Sequence, residues 1–121
     1  MTEQIVAAEF RRLALRSGRS TADFLPRQLY EIDVRLQLVL NLTDRALVAA
    51  LGLDASDLVS DDLMKCQALG DAAHYLGTEA VLAPSAAGAG VALAIFTDRL
   101  GPASVLTPRL LRAWEAPSAV P

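Results

Sequence analysis

Apolar positions recur with a helical period over residues 3–17, where Ile5, Val6, Phe10 and Leu13 fall within one arc at about 100° per residue. Gly18 is a natural stop. A polar stretch through Thr21 and Asp23 leads to Pro26, and the period then changes to two. Glu31, Asp33, Arg35, Gln37 and Asn41 alternate with Ile32, Val34, Leu36, Leu38 and Leu40, which predicts one long strand with a buried face and a wet face. Thr43-Asp44 caps a short helix through Leu51 that Gly52 ends, and Ser60-Asp61-Asp62 caps a longer one running to Leu76 and ended by Gly77. Two apolar runs, Ala80–Ala83 and Val91–Phe96, read as strands joined by a Gly-rich connection. A turn at Asp98–Pro102 and a last short strand near Val105 precede a tail in which Pro108, Pro117 and Pro121 bracket one helical turn.

Charge and composition narrow the class. With 11 Lys and Arg against 14 Asp and Glu in 121 residues, the chain reads as one mildly acidic domain whose bulk charge does not suit nucleic acid. Hydrophobic residues make up 53%, and exchanging the 2 Tyr for the 7 Gly brings the count to about 57%, above the ~45–50% usual on that basis. Such a chain is too apolar for disorder, and its excess implies apolar surface covered by something outside these residues. The longest uncharged run, from Ala80 to Thr97, is broken by Pro84, Ser85, Gly88 and Gly90 and does not read as a membrane-spanning helix. Arg11-Arg12 follows the first apolar residues, the reverse of a signal peptide, and the single Cys66 excludes an internal disulfide; both point to the cytoplasm.

Few residues have the makings of chemistry. Ile5, Glu9 and Leu13 are four apart, so the Glu9 carboxylate shares a face with the apolar stripe. Two readings stand: a salt bridge to Arg12 or Arg16 at the stripe's edge, or a partly buried acid that belongs to a site. The Pro84–Gly90 stretch presents Gly88-Ala89-Gly90 after an apolar run, but a strand follows it where a dinucleotide loop would open a helix, and no Lys-Ser or Lys-Thr follows Gly90. It therefore reads as a hairpin connection, with Ser85 as a turn residue bonding its own backbone. No Gly-x-Ser-x-Gly elbow surrounds Ser85, and the only His, His74, lies near a helix end where it faces solvent. One Cys and one His support no metal centre, and Asp54, Asp57, Asp61 and Asp62 read as helix-start acids. Basic residues are scattered and Trp114 falls in the tail, so no patch for nucleic acid forms.

From Val6 to Leu106 the landmarks resemble the RES domain, the toxin half of bacterial toxin–antitoxin pairs. The residues that carry the resemblance are Ala7-Ala8-Glu9-Phe10, Leu25-Pro26-Arg27, Leu40-Asn41-Leu42-Thr43-Asp44, Gln67-Ala68-Leu69-Gly70-Asp71, Val81-Leu82-Ala83-Pro84-Ser85-Ala86 and Phe96-Thr97-Asp98-Arg99-Leu100, in that order. The resemblance implies a mixed α/β (α+β) fold related to ADP-ribosyltransferases. It implies NAD as substrate with no separate cofactor, consumed by cleavage of the nicotinamide–ribose bond or by ADP-ribosyl transfer. Glu9 and Ser85 stand at the positions of the Glu and the Ser for which, with an Arg, the family is named. The partner implied is an Xre-type helix-turn-helix antitoxin, and a homodimer is a further expectation.

In the family the Arg, together with a Tyr, lies on strands before the Glu, whereas only eight residues precede Glu9 here. Arg27, Arg35 and Arg99 match nothing catalytic, and Val91-Ala92-Leu93-Ala94 stands where many members carry an Asn. The expectation is a RES-like domain over residues 1–107 that lacks its N-terminal strands, with a tail over residues 108–121. Weak or no activity is expected of such a chain; a non-enzymatic module that binds an antitoxin or itself is the alternative.

Overall fold

Helix α1 runs Glu3–Arg16, started by Thr2, whose side chain accepts from the Ile5 amide, and followed by Gly18 at φ 65°. A 3-10 turn at Thr21–Phe24 leads into β1, Arg27–Arg35, after which come β2, Val39–Asn41, and α2, Arg45–Ala50. Asp44 caps α2 by accepting from the amides of Ala46 and Leu47. A second 3-10 turn, Ala55–Val59, not expected as an element, carries a capping box between Asp54 and Asp57, in keeping with their reading as helix-start acids. Helix α3 spans Met64–Tyr75, with the Met64 amide bonded to Asp62. Strands β3, Ala80–Pro84, β4, Val91–Ile95, and β5, Val105–Trp114, complete the fold. This computed structural model describes all residues 1–121, and the mixed helix and strand content is that of the expected fold class.

The strands form two sheets. β2, β3 and β4 lie side by side, β2 parallel to β3 through the crossover of α2 and α3, and β4 antiparallel as a hairpin. β1 and β5 form a separate antiparallel ribbon, with Tyr30 opposite Leu110, Ile32 opposite Pro108 and Val34 opposite Leu106. The single long strand expected from the alternation is therefore two strands in two sheets. The break at Leu36–Leu38 has a cause far away in sequence: the Glu79 carboxylate accepts from the amides of Gln37 and Leu38 at 2.7 and 2.9 Å and turns the chain there. β5 also differs from the short strand expected near Val105, because it continues through Pro108 to Trp114. A ribbon of two strands leaves one edge of β5 open, so a proline whose missing N–H falls on that edge interrupts no ladder bond.

Burial is sparse, with 12 of 121 residues buried. The densest cluster joins Ala7 of α1, Leu29 of β1, Trp114 of β5 and Val120, with Val6, Phe10 and Leu25 packed against it. The buried arc of α1 is thus centred on Ala7 and Ala14, and Leu13, expected inside, is 54% exposed. Small residues let the helix approach the ribbon closely, and Phe10 fills the space beside Trp114 with ring centroids 5.8 Å apart. The ribbon's own alternation is real but its apolar face is open: Tyr30, Ile32, Val34 and Leu110 are 46%, 47%, 42% and 51% exposed. No helix is long and apolar enough to cross a membrane.

Candidate functional site

Glu9 and Ser85, 76 positions apart, meet. The Ser85 hydroxyl donates to Glu9 Oε1 at 2.6 Å, at the short end for an O–H···O bond. Ser85 is buried and Glu9 half-buried. Ser85 follows β3 directly, and its amide bonds to the Gly90 carbonyl at 2.9 Å, closing the β3–β4 connection. The Ala87 amide donates to Ser85 Oγ at 3.2 Å, so the serine is the turn residue expected as well as a partner of Glu9.

The turn is laid against α1 one helical turn before Glu9. Gly90 adopts φ +152°, and a Cβ there would stand 2.9 Å from Ile5 Cγ1 and 3.0 Å from Ile5 Cδ1. Only glycine permits that approach without a shift. Because Ile5 and Glu9 share a face of the helix, seating the turn on Ile5 brings Ser85 to the carboxylate. The salt-bridge reading of Glu9 does not hold: Arg12 bonds instead to Asp61 Oδ1 at 3.0 Å and to the Ser60 carbonyl at 3.4 Å, and Arg16 to the Asp61 carbonyl at 3.1 Å.

The pair points at itself and lines none of the five principal cavities. A cavity of about 520 Å³ adjoins it, however, through Ala8 and Ala86, the chain neighbours of Glu9 and Ser85, and through Ala87; Arg11, Arg12, Arg16 and Asp61 also line it.

Two further polar centres were missed or misread in the sequence. Glu79 is buried, and its second oxygen accepts from the Gly101 amide at 2.9 Å, so one carboxylate ties the β1–β2 break and the loop before β5 to the start of β3. Its carboxyl is held down at about 2, from an ordinary 4.5, by the Ser104 hydroxyl and then by the Gly101, Leu38 and Gln37 amides. The amides are the firmer part of this cage, since Ser104 Oγ has no well-formed hydrogen bond. His74 does not simply face solvent: its Nε2 lies 2.7 Å from Asp98 and its ring meets Phe96 edge-on at 5.2 Å. The His74 hydrogen bond holds the Asp98 carboxyl below its usual range. Both centres fasten loops to the three-stranded sheet, away from the Glu9–Ser85 contact.

The chain thus combines a crossover sheet with an antiparallel third strand, a separate ribbon, and a first helix whose acid bonds the serine after β3. Residues 2–117 match the RES domain, and the chain belongs to that family. It is 35% identical over 96 residues to the NAD(+) phosphorylase MbcT of Mycobacterium tuberculosis and of Mycobacterium bovis, covering 74% of this chain and 52% of that protein. It is 44% identical over 75 residues to the probable NAD(+) phosphorylase Rv3189 of Mycobacterium tuberculosis, covering 61% of this chain and 35% of the other. Its fold is similar to a chain in the crystal structure of the M. tuberculosis MbcT–MbcA toxin–antitoxin complex, with a TM-score of 0.69 and 30% identity over 93% of this chain and 61% of that one. The chain spans about half the length of the MbcT proteins it matches.

Proposed function

We propose that Glu9 and Ser85 form one side of a site that consumes NAD in a bacterial toxin acting in the cytoplasm. The observation that carries this is the 2.6 Å bond between them, which joins a half-buried carboxylate to a hydroxyl at the mouth of a tight turn in a chain of this family. Breaking the nicotinamide–ribose bond develops positive, oxocarbenium-like charge on the ribose. A carboxylate fixed in direction by a hydrogen bond stabilises that charge without reorganising, which is the condition under which electrostatic stabilisation is largest. Ser85 sets the direction of Glu9, and its hydroxyl is the group that would hold the bound nucleotide by hydrogen bonds. Following the naming of the relatives as phosphorylases, inorganic phosphate is the acceptor: its oxygen forms the new bond to the ribose carbon as the C–N bond breaks and nicotinamide leaves neutral.

Incubation with NAD and phosphate, with nicotinamide followed chromatographically, tests this reading. Whatever weak release residues 1–121 support should be lost in Glu9→Ala and reduced in Ser85→Ala; release that survives both substitutions overturns the assignment.

The open apolar face of the β1–β5 ribbon favours a second reading, a non-enzymatic module that binds an antitoxin or a second copy of itself. An Xre-type antitoxin is the heterologous partner proposed. Light scattering and copurification distinguish the two: a stable monomer that binds no such protein removes the second reading.

A further inference from the structure

We infer that the cavity between α1, the Ser60–Asp61 loop and the Ala86–Ala87 turn is a phosphate-binding subsite, an inference that rests on the NAD-consuming reading of the adjoining Glu9–Ser85 pair. Its walls carry three guanidinium groups, Arg11, Arg12 and Arg16, against the single carboxylate of Asp61. The local balance is therefore positive in a chain whose net charge is −3. The C-terminal half of α1 opposes an anion with a partial charge of only about half an elementary unit, less than the arginines contribute.

The arginines keep donors in reserve. Arg11 bonds the Val120 carbonyl, Arg12 bonds Ser60 and Asp61, and Arg16 bonds the Asp61 carbonyl, in every case through Nη2 alone. A guanidinium has five N–H donors in a planar fork, so Nη1 and Nε of all three are free for oxygens of a ligand. Asp61 is 91% exposed at its side chain, and its pairing with Arg12 gains little in water, so a doubly charged phosphate oxygen set competes well against it.

The cavity also adjoins the pair. Ala87, whose amide bonds Ser85 Oγ, forms part of its wall, and Ala8 and Ala86 are the chain neighbours of Glu9 and Ser85. A phosphate held there borders the pair from the α1 side. The phosphate is either the free acceptor or part of the pyrophosphate of the dinucleotide; the chemistry recognised is the same.

The test is a titration of the isotopically labelled chain with inorganic phosphate, then with ADP-ribose, at constant ionic strength, with the Ser85, Ala86 and Ala87 amides followed by NMR. Saturable shifts at Ala86 and Ala87 with phosphate are expected, weakened about tenfold in Arg16→Gln and strengthened in Asp61→Asn, where the competing carboxylate is gone. Displacement of phosphate by ADP-ribose would assign the cavity to the pyrophosphate, and simultaneous binding would assign it to the free acceptor. A purely structural ion cluster gives no saturable phosphate shift in any variant, or one that Arg16→Gln leaves unchanged, and either result overturns the subsite. If ADP-ribose moves the Ser85 amide while phosphate leaves Ala86 and Ala87 unmoved, the subsite alone fails. If phosphate binds but ADP-ribose leaves Ser85 unmoved, the subsite stands and the NAD reading of the pair fails.

Discussion

Removing either partner of the Ser85–Glu9 bond should cost stability, and removing both should cost less than the sum. In Ser85→Ala the carboxylate loses its donor but, being half-buried, regains water, and the Ala87 amide loses an acceptor, so the cost is about 1 kcal/mol. In Glu9→Ala the buried hydroxyl still accepts from Ala87 but has nowhere to donate, which costs about 1–2 kcal/mol, offset by a few tenths from the better helix propensity of alanine. Once both groups are gone only the Ala87 amide is left without its acceptor, a cost already present in Ser85→Ala, and the coupling energy of the cycle should be about 1.5 kcal/mol. Urea unfolding of the four proteins, followed by the fluorescence of the single Trp114, measures it. The coupling should survive high salt, because a bond between partly buried groups at contact distance is screened little. A coupling below about 0.5 kcal/mol would refute the reasoning, since it is the additivity expected of residues that merely lie near each other. The turn would then be held by the Ile5–Gly90 contact alone.

Three other outcomes follow from the packing. Gly90→Ala should cost about 1–3 kcal/mol through strained backbone and the clash with Ile5; adding Ile5→Ala should recover the steric part but not the part due to φ, as thermal melts of both variants would show. Glu79 has a folded pKa of about 2 against an ordinary 4.5, so the stability it contributes is complete above about 4.5 and is lost as pH falls towards 2. Glu79→Gln should flatten that acid limb in urea midpoints measured across the range, leaving a smaller slope from Asp23, Asp57 and Asp98, whose carboxyls are also lowered. Trp114→Ala removes the largest member of a four-residue core and should cost about 3–5 kcal/mol by circular dichroism in urea, whereas Trp114→Phe, which loses chiefly the bond from Nε1 to Glu3, should cost much less.

Local pattern was legible where local chemistry decides. The cap at Asp44 and the glycines at 18, 52 and 77 mark helix limits that the sequence places within a residue or two. Alternation from Glu31 to Val34 correctly reports which side chains share a face, but periodicity carries no information on whether anything covers that face, and here it is open. The break after Arg35 was invisible because its cause, Glu79, lies more than forty positions on and resembles any acid before a strand. Trp114 read as a tail residue because three prolines surround it, although Pro108 sits in a strand that pairs on one side only. Glu9 was visible as unusual by its helix face, whereas Ser85 read as an ordinary turn residue and was singled out only by the family resemblance. What no window of sequence holds is that Gly90 lets the turn rest on Ile5 and so closes the distance between them.

Helix α1 meets the ribbon core through Ala7 and Phe10, the Ser85 turn through Ile5 and Glu9, and the Ser60–Asp61 loop through Arg12 and Arg16. It therefore behaves as an axle with three followers. Side chains lie about 5 Å from a helix axis, so a roll of about 20° carries each of them nearly 2 Å, enough to separate oxygens now 2.6 Å apart. Changes of volume beneath Phe10 would be transmitted as rotation to Glu9. The bulk of the aromatic cluster at Phe10, Phe24 and Trp114 is thus a setting for the candidate site, and natural variation at those three positions should track variation in how closely its acid and serine engage.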